Sequence, residues 1–233
     1  MPAYDKVYLA DAVENLGEMA FCATACLGFD LDVFWTAFVV SDCARAFASG
    51  APSVVGGLSG AELALRVCEE TGLIISGGLS AAENAIRTSS LAYGVTCEYW
   101  CGWAVAYYQW ASARSFRQIW DSVPMSRVER MYPTFHEESE DRFAEAMESL
   151  VVAAERNSPT KLQTQRKLVG LSQSQLARAT GVGLRAIQQY EQRAKDINKA
   201  SVASVVALSR ALFCQPEDIL EPASHIDYAL VEF

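Results

Sequence analysis

Residues 171–191 decide how the C-terminal part of this chain folds, and they read LSQSQLARATGVGLRAIQQYE. Ser172 and Gln175 have the spacing of a capping box, in which each side chain satisfies a free backbone N–H at the start of a helix. Small and apolar residues then follow at helical spacing, and Gly181 stands where a helix commonly ends in the left-handed conformation. A second apolar set that includes Ile187 begins directly afterwards. The stretch therefore predicts two short helices that cross at a tight turn.

This arrangement is a helix-turn-helix, and it resembles the Cro and phage-repressor (Xre-like) family of DNA-binding transcriptional regulators. The resemblance rests on the ordered series of Gln, Leu, Ala, Gly, Val or Ile, and Glu residues in the quoted stretch. It covers roughly residues 160–222, about a quarter of the chain, and includes the last helices expected at 201–213 and 216–220. It implies a five-helix domain whose reading helix, residues 183–193, lies in the major groove of double-stranded DNA.

The resemblance also implies roles for individual side chains. By position, it places four residues of the reading helix at the base edges: Leu184, Arg185, Gln188 and Gln189. Arginine pairs well with guanine and glutamine with adenine, so these side-chain types suit base reading. Gln173, Lys195 and Lys199 are expected to contact phosphates, which orient the domain without specifying sequence. Arg166 and Glu191 stand where the family often has a partly buried ion pair between its first helix and its reading helix.

Two residues depart from the family's pattern. Gly183 stands where a Ser or Thr usually begins the reading helix, so we expect that end to be poorly capped. Leu184 offers only an apolar contact, such as one with a thymine methyl group, where many relatives offer a polar group. A pair of helices that docks a protein is the alternative to DNA binding. The predicted turn, the capping residues and the polar face of the second helix all fit a DNA-binding helix-turn-helix, so DNA binding is favoured over protein docking.

The charge of the chain is unevenly distributed along its length. The net charge is −9, which by itself does not suit a DNA-binding protein. Residues 1–157 hold 10 Lys and Arg against 21 Asp and Glu, a net charge of −11. Residues 158–215 hold 9 against 2, a net charge of +7. The positive charge is therefore concentrated on the segment that is expected to meet phosphates.

The N-terminal part of the chain shows helical periodicity, and no segment alternates for long enough to predict a strand. We expect helices over about residues 5–27, 30–48 and 136–155, and a repeated Ser-x-x-Glu capping box at Ser59 and Ser80. Residues 91–113 are rich in Trp and Tyr, but Glu98 and Gln109 interrupt them, so a core helix is favoured over a membrane span.

We therefore predict an all-α chain with two domains. A helical, acidic domain occupies residues 1–157, the helix-turn-helix domain occupies residues 158–222, and residues 223–233 form a tail without a clear pattern. The joint is expected at residues 157–159, with Ser158 as the cap and Pro159 as the first residue of the next helix.

The sequence contains little that predicts catalysis or cofactor binding. His136 is the only histidine before the tail, and motifs for nucleophilic, metal-dependent or nucleotide-dependent chemistry do not occur. The pairs Cys22/Cys26 and Cys97/Cys101 have the spacing of one helical face. Buried thiols explain that spacing better than a zinc site does, because structural zinc usually binds a C-x₂-C turn. We expect no enzymatic activity, no cofactor and no metal.

The cysteines and the N-terminal residues also indicate in which cellular compartment the protein is expected. The chain has seven cysteines, an odd number, and residues 1–5 lack the basic and apolar regions of a signal peptide. We therefore expect a cytoplasmic protein that has no membrane association.

The acidic domain, residues 1–157, is left with a role in dimerisation, sensing or partner binding. A single reading helix contacts only a few base pairs, which favours a homodimer and a role as a repressor. Helical proteins that end in a Cro-type domain also occur as antitoxins, so an alternative is that residues 1–157 neutralise a toxin partner. A small-molecule effector of this domain is a third interpretation, although the sequence does not name the ligand.

Overall fold

The computed structural model describes residues 2–73, 78–88 and 96–221. No β-strand occurs within these ranges, and the prediction of an all-α fold is confirmed. The chain divides into two compact units, Met1–Glu155 and Arg156–Phe233.

The first unit consists of α-helices joined by short turns. A 3₁₀ turn, Lys6–Tyr8, leads into the first of them, and a π-helical turn, Cys22–Cys26, continues it. The helices are α1 (Leu9–Phe21), α2 (Leu31–Phe38), α3 (Asp42–Ala48), α4 (Pro52–Val55), α5 (Gly60–Thr71), α6 (Leu79–Thr88), α7 (Cys97–Ser112), α8 (Phe116–Ser122), α9 (Met125–Glu129), α10 (Tyr132–Phe135) and α11 (Glu140–Asn157).

The centre of the first unit is the packing of α1 along α7. Glycines allow this close approach: a Cβ atom on Gly102 would lie 2.2 Å from the carbonyl oxygen of Leu16. A Cβ atom on Gly17 would lie 2.9 Å from the ring of Tyr99. The aromatic segment forms a core helix as predicted, with Trp100 buried, although residues 91–95 of that segment lie outside the described ranges. No helix in the described part of the chain is long and apolar enough to cross a membrane.

The prediction of a single helix over residues 30–48 is wrong, because the chain forms α2 and α3 there. Ser41 causes the break. Its hydroxyl group donates to the carbonyl oxygen of Phe38 at 2.7 Å and accepts from the backbone N–H of Ala44 at 3.0 Å. One side chain therefore closes α2 and caps α3, although the apolar stripe runs on through both helices.

Two other helix starts also differ from their predictions. Ser59 forms the expected capping box of α5, but α6 begins at Leu79, so Ser80 lies inside that helix and not at its N-cap. The last helix of the first unit begins at Glu140, after the predicted start near residue 136. Ser139 directly precedes this helix, and its carbonyl oxygen accepts from the N–H groups of Arg142 at 3.0 Å and Phe143 at 3.3 Å.

The second unit contains α12 (Lys161–Leu168), α13 (Gln173–Thr180), α14 (Leu184–Glu191) and α15 (Val202–Ala211). The fifth predicted helix, residues 216–220, is present as a short 3₁₀ turn, Pro216–Asp218. Another 3₁₀ turn, Ile197–Lys199, precedes α15. These elements enclose a small apolar core made of Leu162, Leu176, Ile187, Tyr190, Ile197, Val205, Leu208, Leu212 and Ile219.

Candidate nucleic-acid interface

The pair α13 and α14 is held at its turn by local sequence features. Gln175 accepts from the backbone N–H of Ser172 at 2.8 Å, and the Ser172 hydroxyl accepts from the N–H of Gln175 at 3.2 Å. This is the capping box that the sequence predicts. Gly181 ends α13 with φ +71°, and its N–H donates to the carbonyl oxygen of Ala177. A side chain at such a φ value would be strained, which explains why glycine stands at the turn.

The residue directly before α14 provides no side-chain cap. Gly183 is the N-cap residue, in an extended conformation with φ −58° and ψ 136°, and no side chain bonds to the first N–H groups of α14. The poorly capped start is therefore present in the structure. A Cβ atom at Gly183 would meet no atom within 4 Å, so packing does not require glycine here.

The two sides of α14 differ in burial. Ile187 and Tyr190 point into the core of the second unit and are 0% and 5% exposed. Leu184 and Arg185 are exposed on the other side, and Gln188 and Gln189 are half-buried there, one turn further along. The four predicted base-reading residues therefore share the side of the helix opposite Ile187 and Tyr190.

A buried ion pair joins α12 to the end of α14. The guanidinium group of Arg166 donates from Nε to Glu191 Oε1 at 2.6 Å and from Nη2 to Oε2 at 2.7 Å. Nη1 donates to the carbonyl oxygen of Leu171 at 2.7 Å. The side chains are 10% and 1% exposed. Hydrogen bonding to the Glu191 carboxylate raises the pKa of Arg166 above its ordinary value, so the guanidinium stays charged.

The predicted phosphate contacts occupy three different environments. Gln173 is half-buried, and its Nε2 donates to Glu191 Oε2 at 2.8 Å. That nitrogen carries a second hydrogen, so the same amide keeps a donor for another acceptor. Lys195 lies over the ring of Tyr190, with Nζ 5.5 Å from the ring centroid, and Lys199 is exposed at the end of the 3₁₀ turn.

Arg193 has a structural role that the sequence pattern does not indicate. It adopts φ +53°, and its Nη1 donates to the carbonyl oxygen of Ser158 at 2.6 Å. The cap of α12 is Thr160, which accepts from the N–H of Gln163, and the prediction that Ser158 caps this helix is wrong. Arg193 and Ser158 are 35 residues apart in the chain, and the local sequence pattern does not predict a contact over that separation.

Comparison with known proteins bears on the second unit. A family model described as helix-turn-helix matches residues 162–219, about a quarter of the chain. Searches of curated proteins and of solved structures found no match. The matched segment begins within α12 and ends after the last 3₁₀ turn, so it includes the capped turn, the ion pair and the exposed face of α14. Residues 162–219 form a Cro/repressor-type (Xre-like) helix-turn-helix domain, the type found in DNA-binding transcriptional regulators.

Proposed function

We propose that this protein is a sequence-specific regulator that binds double-stranded DNA with α14 in the major groove and acts as a repressor. The observation that carries the proposal is the two-sidedness of α14. Ile187 and Tyr190 fix one side in the core, and the opposite side carries Arg185, which is exposed, and Gln188 and Gln189, which are half-buried. A helix held in this way offers its polar side chains to a groove at little cost in conformational freedom.

The exposed side chains match the chemistry of base edges. The guanidinium group of Arg185 suits N7 and O6 of guanine, and the amides of Gln188 and Gln189 suit N6 and N7 of adenine. Leu184, 39% exposed, suits the methyl group of thymine. We infer that these four residues set the sequence preference.

Phosphate contacts would come from the two ends of the motif. Gln173 is expected to donate its second amide hydrogen, held in place by Glu191, and Lys195 and Lys199 are expected to add positive charge after α14. The net charge of +7 over residues 158–215 supports this role.

We further propose that the protein binds as a homodimer through its first unit. A reading helix contacts few base pairs, and a two-fold dimer places two such helices about 34 Å apart, one turn of DNA. A dimer bound at a promoter would occlude it, which accounts for the assignment as a repressor. If the protein is instead an antitoxin, residues 1–157 alone should rescue cells that express the gene adjacent to its own. If expression of that adjacent gene does not harm cells, the antitoxin alternative is refuted.

Selection of binding sites from random duplexes tests the proposal. We expect one enriched motif with two half-sites, and an affinity that falls steeply as salt rises. Arg185→Ala should relax the preference at one base pair by about 1–3 kcal/mol. Arg210→Ala removes the same charge from α15 and should leave the motif unchanged, which makes it the matched control. A motif that stays the same in both Arg185→Ala and Gln189→Ala would refute base reading by α14.

A further inference from the structure

The first unit contains a cleft that DNA binding does not use. Its volume is about 230 Å³, and it lies between α7 and the segment that leads from α10 into α11. Aromatic side chains form most of its walls: Tyr99, Trp100 and Trp103 from α7, and Phe135 and Phe143 from the opposite side. Lined in this way, the cleft has the apolar, concave character of a small-molecule site, although its volume lies just below the usual range of about 300–1,000 Å³.

The walls are held in place by contacts among aromatic rings. Trp100 meets Phe143 edge to face, with ring centroids 5.2 Å apart, and meets Tyr132 in the same manner at 5.5 Å. Trp103 lies parallel to Tyr107, with an interplanar angle of 2° and a centroid distance of 6.1 Å. Rings fixed on both sides do not need to be ordered by a ligand, so the cleft is largely preformed.

The acidic residues that line the cleft are two glutamates, and one histidine, His136, lines it as well, with its Nδ1 2.8 Å from the carbonyl oxygen of Tyr132. Glu138 and Glu140 line it and are exposed, and neither forms an ion pair with a described residue. No Lys or Arg occurs among the lining residues that the structure describes. Residues 1–157 carry a net charge of −11, which raises the local concentration of cations. An anionic ligand is therefore disfavoured, and a cation is attracted.

We propose that this cleft binds a small organic cation, with its ammonium group near Glu138 and Glu140 and its apolar body between the aromatic walls. Electron-rich ring faces attract cations, and the indole of Trp103 is the strongest such face among protein side chains. Because the cleft is small, its ligand should also be small. A role of this amine as the effector of the regulator rests on the proposed function, but its binding does not.

Calorimetric titration of the full-length protein without DNA tests the proposal, so its outcome does not depend on whether the protein binds DNA. The probes are benzylammonium, neutral benzyl alcohol and benzoate, which share an apolar ring and differ in charge. We expect saturable binding of benzylammonium at least about tenfold tighter than that of benzyl alcohol, and the weakest binding for benzoate. Equal affinity for the cation and the alcohol, or no saturable binding of benzylammonium, would overturn the proposal.

Matched variants locate the site. Glu138→Gln/Glu140→Gln should weaken benzylammonium binding about tenfold and leave benzyl alcohol unaffected. Glu69→Gln/Glu145→Gln removes the same charge from exposed residues outside the cleft and should retain the wild-type affinity. Trp103→Leu should weaken the cation more than the alcohol, because it removes the ring face but keeps an apolar wall. If the two double variants weaken binding equally, the cation is held by net charge and the cleft is not its site.

Discussion

Substitution of Arg166 by Met is the sharpest test of how the helix-turn-helix is held together. Arg166 makes two hydrogen bonds to Glu191 and one to the carbonyl oxygen of Leu171. The variant leaves the Glu191 carboxylate, whose side chain is 1% exposed, with Gln173 as its remaining side-chain donor. A buried charge without its partner is costly, because the interior cannot replace the water that the carboxylate has lost.

The expected cost is large for a unit of this size. Breaking a buried ion pair by removing one partner costs about 3–5 kcal/mol. At about 0.05–0.15 kcal/mol per residue, the free energy of unfolding of the second unit is about 3–10 kcal/mol. Arg166→Met should therefore remove a third or more of it. The double variant Arg166→Met/Glu191→Leu replaces both charges by apolar groups and should be close to wild type or more stable.

Amide hydrogen exchange measured on peptides from residues 162–219 reports the stability of the second unit within the intact chain. Arg166→Met should lower protection in these peptides by roughly a hundredfold to a few thousandfold, and the double variant should restore it. Arg178→Met is the control within the same unit, because Arg178 is exposed on α13 and forms no ion pair with a described residue, so its loss should change stability by at most about 0.5 kcal/mol. A loss for Arg166→Met as small as that of the control would refute the reasoning.

Four further substitutions test other parts of the structure. Gly102→Ala should destabilise the first unit by about 1–3 kcal/mol or more in thermal unfolding, because the added Cβ atom would lie 2.2 Å from a backbone oxygen. Gly60→Ala should have a similar effect, because its Cβ atom would lie 2.5 Å from the backbone nitrogen of Met19. Unchanged thermal stability of either variant would contradict the close helix packing. Gly183→Ser should raise the free energy of unfolding of the second unit by a few tenths of a kcal/mol, because the serine hydroxyl can cap α14. Hydrogen exchange would measure this gain. A loss of stability would mean that glycine is required at this position. Burial raises the pKa of Tyr4 to about 12, so this tyrosine ionises at lower pH in the unfolded chain than in the folded protein, and the free energy of unfolding should fall as pH rises from about 10 through 12. Tyr4→Phe should abolish this part of the alkaline loss of stability. A variant with the same pH profile as the wild type would contradict this assignment.

The parts of the fold that could be predicted from sequence are those that depend on local chemistry. The Ser172–Gln175 capping box and the left-handed Gly181 involve residues close in the chain, so their spacing alone indicates the turn. The Arg166–Glu191 pair spans 25 residues, and only the family resemblance suggested it.

Other features depend on contacts that spacing does not encode. Ser41 interrupts an apolar stripe that reads as one helix, because its hydroxyl bonds to both neighbouring helices. Arg193 adopts a positive φ value after the end of α14 and bonds to Ser158, which is 35 residues away in the chain. The aromatic cleft joins Trp103 to a segment about 30–40 residues later, so it emerges only when α7 and α11 pack.

The most direct test of base reading is a cycle between Arg185 and the DNA. Each guanine of the selected site is replaced in turn by 7-deazaguanine, which lacks the N7 acceptor, and the affinities of the wild type and of Arg185→Ala are compared. One position should cost the wild type about fivefold or more and cost Arg185→Ala almost nothing. Equal losses in both proteins at every guanine would contradict a contact between Arg185 and a guanine in the major groove.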